Sequence, residues 1–121
     1  MIRRALLVTA LTALATFGGL ASASARTPYD GLWSVIIFTR AGNCDSGLRY
    51  RLRIANGYIF SEGGGFDARG RVTNNGSISV VVSQGGQSAH GSGRLNRRGG
   101  SGRWQTASRE CAGNWTAERF G

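Results

Sequence analysis

After residue 26 the apolar positions show no helical period. They alternate with polar ones in short runs that Gly and Asn interrupt about every ten residues, the pattern of an all-β sandwich or barrel. The clearest run is Leu48-Arg49-Tyr50-Arg51-Leu52-Arg53-Ile54, apolar at even positions and arginine at odd ones. Asn56-Gly57 comes next, the pair suited to a two-residue type I′ hairpin turn, and then Tyr58-Ile59-Phe60-Ser61-Glu62. Such a loop pairs Ile54 with Ile59 on the inner face. On the outer face it sets Arg53 beside Phe60 and Arg51 beside Glu62.

The next turn discriminates between registers. A two-residue loop at Asn75-Gly76 would mix the two faces. A three-residue loop, Asn74-Asn75-Gly76 with a left-handed Gly76, pairs Val72 with Ile78 and Gly70 with Val80. Gly85-Gly86 then pairs Val82 with Ala89, Val80 with Gly91 and Ile78 with Gly93, and leaves His90 outside opposite Val81. Large inner residues thus face small ones, as a tightly curved wall requires.

Eight strands are predicted, at about 32–40, 47–55, 58–63, 66–73, 77–83, 88–95, 101–106 and 111–119. An even number of antiparallel strands joined in order lets the last lie against the first, so a small up-and-down barrel is expected, with a two-sheet sandwich as the alternative. Cys44 lies just after the first strand and Cys111 opens the eighth, at the same end of such a barrel, and a disulfide between them is expected. The triplets Gly31-Leu32-Trp33, Gly102-Arg103-Trp104 and Gly113-Asn114-Trp115 fall on strands 1, 7 and 8. Trp33, Trp104 and Trp115 are read as a structural aromatic plug gathered inside one end.

Residues 1–25 read differently. Arg3 and Arg4 precede an apolar stretch, Ala5 to Leu20, and then Ala23-Ser24-Ala25. This is the arrangement of a cleaved signal peptide, which implies a periplasmic or secreted protein with one domain over residues 26–121. Residues 26–121 contain no stretch long enough to cross a membrane as a helix. The chain has 15 basic residues, every one an arginine, against 6 acids, and a net charge of +9. Without residues 1–25, two arginines fewer leave +7. Planar guanidinium groups suit phosphate and carboxylate partners.

These residues carry two resemblances. Gly31-Leu32-Trp33, with Arg119 near the far end, resembles the calycins (lipocalins and avidins), in which an early Gly-x-Trp packs under a late basic residue. More of the chain resembles small exported alphaproteobacterial proteins of unknown function. The similarity rests on Tyr29-Asp30-Gly31-Leu32-Trp33-Ser34-Val35, Gly42-Asn43-Cys44-Asp45, Asn56-Gly57, Gly91-Ser92-Gly93-Arg94-Leu95 and Gly102-Arg103-Trp104. The segment Cys111-Ala112-Gly113-Asn114-Trp115-Thr116-Ala117-Glu118-Arg119 completes it. This second resemblance implies no activity.

Familiar catalytic patterns are missing. A single histidine, His90, does not make a multi-histidine metal site, and no metal or cofactor is expected. There is no Gly-x-Ser-x-Gly elbow, and Glu110 and Glu118 lie at opposite ends of one predicted strand, too far apart to flank one bond. A non-enzymatic binding module is therefore the leading reading. Its candidate anion-binding surface is the outer face of the second hairpin, Arg49, Arg51, Arg53, Tyr58 and Phe60. A second basic group is Arg94, Arg97, Arg98 and Arg103. Expected partners are an anionic glycan, a lipid head group or an acidic protein surface; export disfavours nucleic acid, and a monomer is expected. One alternative is an inhibitor of a cell-wall hydrolase or protease, acting through Asn43–Gly47 or Arg97–Ser101 held by the disulfide. Another is a calycin-like carrier of a small ligand in the barrel mouth.

Overall fold

A computed structural model describes residues 26–121. The signal-peptide reading of residues 1–25 lies outside them. The chain forms β1 (Gly31–Ala41), β2 (Leu48–Ala55), β3 (Tyr58–Ser61), β4 (Asp67–Val72), β5 (Ser77–Gln84), β6 (Gln87–Leu95), β7 (Gly99–Thr106) and β8 (Ala112–Arg119). Each strand pairs antiparallel with its sequence neighbour, and β8 returns to β1 from Trp33↔Arg119 to Ala41↔Ala112. The result is a closed up-and-down barrel with no free edge. That last pairing excludes the two-sheet sandwich.

The hairpin registers arise from turn chemistry. Ile54 pairs with Ile59 and Arg53 with Phe60 across the Asn56-Gly57 turn. Val72 pairs with Ile78 across the three-residue loop, where the Thr73 N–H donates to Ser77 O and Gly76 has φ 91°. Beyond it, Val82 pairs with Ala89 and Val81 with His90. Two boundaries differ from expectation by two residues, and the others by one at most. β3 ends at Ser61, before the Gly63-Gly64-Gly65 run, and β7 starts at Gly99 rather than at 101. The second shift has a local cause: the Asn96 side chain accepts the N–H groups of Arg98 and Gly99 and tightens the β6–β7 turn.

The expected Arg51–Glu62 pair is corrected. The Glu62 N–H keeps the backbone bond to Arg51 O at 3.0 Å, but its carboxylate turns to Arg53, at 3.1 Å from Nε. Glu62 lies one residue past the end of β3, so its side chain is free to take the diagonal neighbour, which long side chains reach across a sheet.

At the end where β1 begins, the barrel is closed. Trp33 is 1% exposed, its indole N–H donates to Tyr29 O, and the Arg119 guanidinium lies 5.5 Å from its ring centroid. Arg119 also donates to the carbonyls of Pro28, Asp30 and Arg97, so one guanidinium ties the N-terminal segment and the β6–β7 turn to the barrel floor. Asp30 fastens the same segment to the second hairpin by accepting the N–H groups of Asn56 and Gly57 at 2.8 and 3.2 Å. At the opposite end Cys44 and Cys111 form a disulfide that joins the β1–β2 loop to the start of β8.

Candidate functional site

Eight strands enclose an interior that side chains can fill or that can hold one small ligand. Here the outcome is set by small inward residues. Gly70 on β4, Ala89, Gly91 and Gly93 on β6, Gly102 on β7 and Ala117 on β8 occupy inner positions. The space is filled only in part by the three tryptophans, and a cavity of about 430 Å³ remains. It reaches the surface at the disulfide end, beside Asn43, Cys44, Asp45, Gln84 and Gln87. Its deeper walls are Val35, Ile37, Leu52, Ile59, Val80 and Val82 with the tryptophans. No polar or charged residue is buried among the described residues.

The tryptophans do not gather at one end, which corrects the plug reading. Trp33 pairs with Arg119 near the start of β1, whereas Trp115 pairs with Ile37, four residues farther along β1 and so about 13 Å along the strand. Trp104 and Trp115 are placed by an interlock. Antiparallel pairing of two Gly-x-Trp triplets sets Gly102 opposite Trp115 and Trp104 opposite Gly113. Each ring therefore has a glycine beside it. A Cβ at Gly102 would overlap the backbone Ser92 O and stand 2.6 Å from Trp115 Cζ2, so only glycine fits between the β6 backbone and the indole. The Trp115 N–H donates to Ser92 O and Arg103 O, both at 3.1 Å, and the Trp104 N–H to Phe38 O and Asn114 O, both at 3.2 Å. All three tryptophans line the cavity.

The rim is polar and partly tied. Tyr50 on β2 donates from its hydroxyl to Gln84 Oε1 on β5 at 3.4 Å, and its ring meets Phe66 edge-on at 4.9 Å. The disulfide holds Asn43–Gly47 beside this opening. The other loop considered for an inhibitor, Arg97–Ser101, lies at the closed end, and its last three residues belong to β7. The disulfide therefore cannot hold both loops, because they are at opposite ends.

On the outside, the structure brings Arg49, Arg51, Arg53, Tyr58 and Phe60 onto one face. Arg69 and Arg71 on β4 join them, paired with Phe60 and Tyr58. The alternation Arg69-Gly70-Arg71 was visible in the sequence. Its register against β3 was not, because the Gly63-Gly64-Gly65 run that joins the two strands admits more than one loop geometry. Arg71 lies over the Tyr58 ring at 5.0 Å, Arg51 over Phe120 at 5.2 Å, and Arg49 donates to Ser34 Oγ at 2.8 Å. Among the described residues the ion pairs are Arg53–Glu62 and Arg69–Asp67. The Arg53 hydrogen bond and charge hold the exposed Glu62 carboxyl below its ordinary pKa. Arg94 and Arg103 project from β6 and β7, while Arg97 and Arg98 sit in the turn between those strands, so the second basic group is divided between wall and floor.

His90 lies on the outer wall with Nε2 3.1 Å from Ser79 Oγ. Both are exposed on the outer strand surface, and among the described residues no carboxylate orients the imidazole, so the pair lacks the third member of a hydrolytic triad. No group of three or more metal-ligating side chains occurs among the described residues. Compared with known proteins, the chain matches no family model and no curated protein.

Proposed function

We propose that the barrel is a non-enzymatic carrier that holds one small, neutral, predominantly apolar molecule in its interior. The cavity carries this reading. A concave apolar space of about 430 Å³ lies within the range of small-molecule sites. Its walls hold no buried charge, so an ionised group deep inside would lose its hydration without a partner. The polar part of a ligand belongs at the rim, near Gln84, Gln87 and Asn43. The Arg119–Trp33 stack supports a calycin-like carrier in particular, since it joins an early Gly-x-Trp to a late arginine. An exported protein suits this task, and the disulfide fits an oxidising compartment.

The neutral fluorophore N-phenyl-1-naphthylamine tests the proposal. It should bind with one-to-one stoichiometry and quench Trp104 and Trp115 by energy transfer. Ala89→Phe, which projects a ring into the cavity from β6, should abolish binding while the far-ultraviolet spectrum stays unchanged. Absence of binding to the parent protein, or equal binding by the folded variant, would refute the carrier reading.

A further inference from the structure

The outer face of β2–β4 carries features that the interior cavity does not use. Arg53, Phe60, Arg69 and Val81 stand in one cross-strand row, with Tyr58 and Arg71 in the next. Tyr58 and Phe60 are each 48% exposed and Val81 is 43% exposed, so apolar surface lies among the arginines on a face that strand alternation turns away from the core. Five arginines (Arg49, Arg51, Arg53, Arg69 and Arg71) meet two carboxylates, Glu62 and Asp67. Arg49, Arg51 and Arg71 have no carboxylate within ion-pair distance among the described residues.

We propose that this face docks the barrel onto an anionic lipid surface. Charge complementarity selects an anionic partner, and the rings select its physical state. A closed barrel is convex, so this wall offers no trough in which a stiff glycan chain could lie. A fluid interface conforms to a convex face: Tyr58, Phe60 and Val81 enter between head groups while the guanidiniums pair with phosphates, often through two hydrogen bonds each. Each basic side chain near an anionic membrane surface contributes about 1 kcal/mol, so several held on one face act together. Arg71 over Tyr58 also keeps a charge beside a ring, so both reach the interface together.

The test uses Arg26–Gly121, since every strand pairing of the ring lies within Gly31–Arg119. Co-sedimentation is measured with phosphatidylcholine vesicles and with vesicles containing phosphatidylglycerol. Binding should require phosphatidylglycerol. Replacing Arg51 and Arg71 together with serine should weaken it roughly 30-fold, at about fivefold per arginine near a charged surface. Replacing Arg97 and Arg98, an equal change in charge at the barrel floor, should weaken it much less. Phe60→Ser should remove the binding that persists at high salt, because ring insertion is not screened. Equal losses in the two double variants would overturn the proposal by showing a response to bulk charge alone. Equal binding to both vesicles would do the same. So would tight binding to heparin that is indifferent to Phe60→Ser, which would assign the face to a soluble polyanion. Unchanged thermal melting of each variant keeps these outcomes free of unfolding.

Discussion

Truncating Trp115 to alanine separates two sources of stability in the barrel wall. The ring is 5% exposed, and an indole buries roughly 150–250 Å². At about 25 cal/mol per Å² that area corresponds to about 4–6 kcal/mol for the whole side chain. The void left behind merges with an existing cavity, so little extra penalty arises from new empty space. The expected loss is therefore about 3–4 kcal/mol, toward the lower part of the usual range for buried aromatic deletions. Trp115→Phe keeps most of the apolar contact but removes the N–H that serves Ser92 O and Arg103 O, and should cost only about 1–2 kcal/mol. Urea denaturation monitored by far-ultraviolet circular dichroism, with the disulfide intact, measures both from the shift in midpoint at constant slope. A Trp115→Ala loss below about 1 kcal/mol would mean that the ring does not support the wall. Equal losses for Ala and Phe would show that the hydrogen bonds, not the packing, dominate, and would refute the area argument.

Two further outcomes rest on contacts in the barrel wall and at its floor. Gly102→Ala should destabilise by about 3 kcal/mol, because its Cβ would meet the backbone Ser92 O as well as Trp115 Cζ2, and Trp115→Ala should relieve only the part of that loss due to the ring; fully additive losses in a double-mutant cycle would contradict the contact between Gly102 and the indole. At Asp30, burial opposes the charge, but hydrogen bonds from the Thr27 hydroxyl and the backbone N–H groups of Asn56, Gly57 and Thr27 outweigh it and lower the pKa. A lowered folded pKa makes the contribution complete above the unfolded value and lost as pH falls through the folded one. The stability gap between the parent protein and Asp30→Asn should therefore narrow as pH drops below about 4, and a gap that is constant down to about pH 2 would show that the carboxylate charge is not involved.

Much of this architecture was legible along the chain because its determinants are local. Alternation from Leu48 to Ile54 assigns each side chain a face, and Asn56-Gly57 then admits only one favoured pairing, so Ile54 meets Ile59. Gly76 likewise sets the register of Val72 against Ile78. Closure was favoured by parity and by the placement of Cys44 and Cys111, but a two-sheet sandwich satisfies both, and only the β1–β8 pairing decides between them. Where no turn residue constrained the register, the reading stopped: Arg69 and Arg71 were seen as a strand, but not as neighbours of Phe60 and Tyr58. The diagonal choice of Glu62 for Arg53 was equally hidden, because both arginines lie on its face and only side-chain reach separates them. The interior was decided by the tertiary structure alone. Ala89, Gly91 and Gly93 opposite large residues are consistent with a filled, tightly curved barrel and also with an empty one, and the sequence pattern treats the two alike. The difference is a sum of volumes over all eight strands. It depends on Trp104 and Trp115 lying beside glycines of the neighbouring strand, away from Trp33, and that arrangement exists only once β7, β8 and β1 have closed the ring.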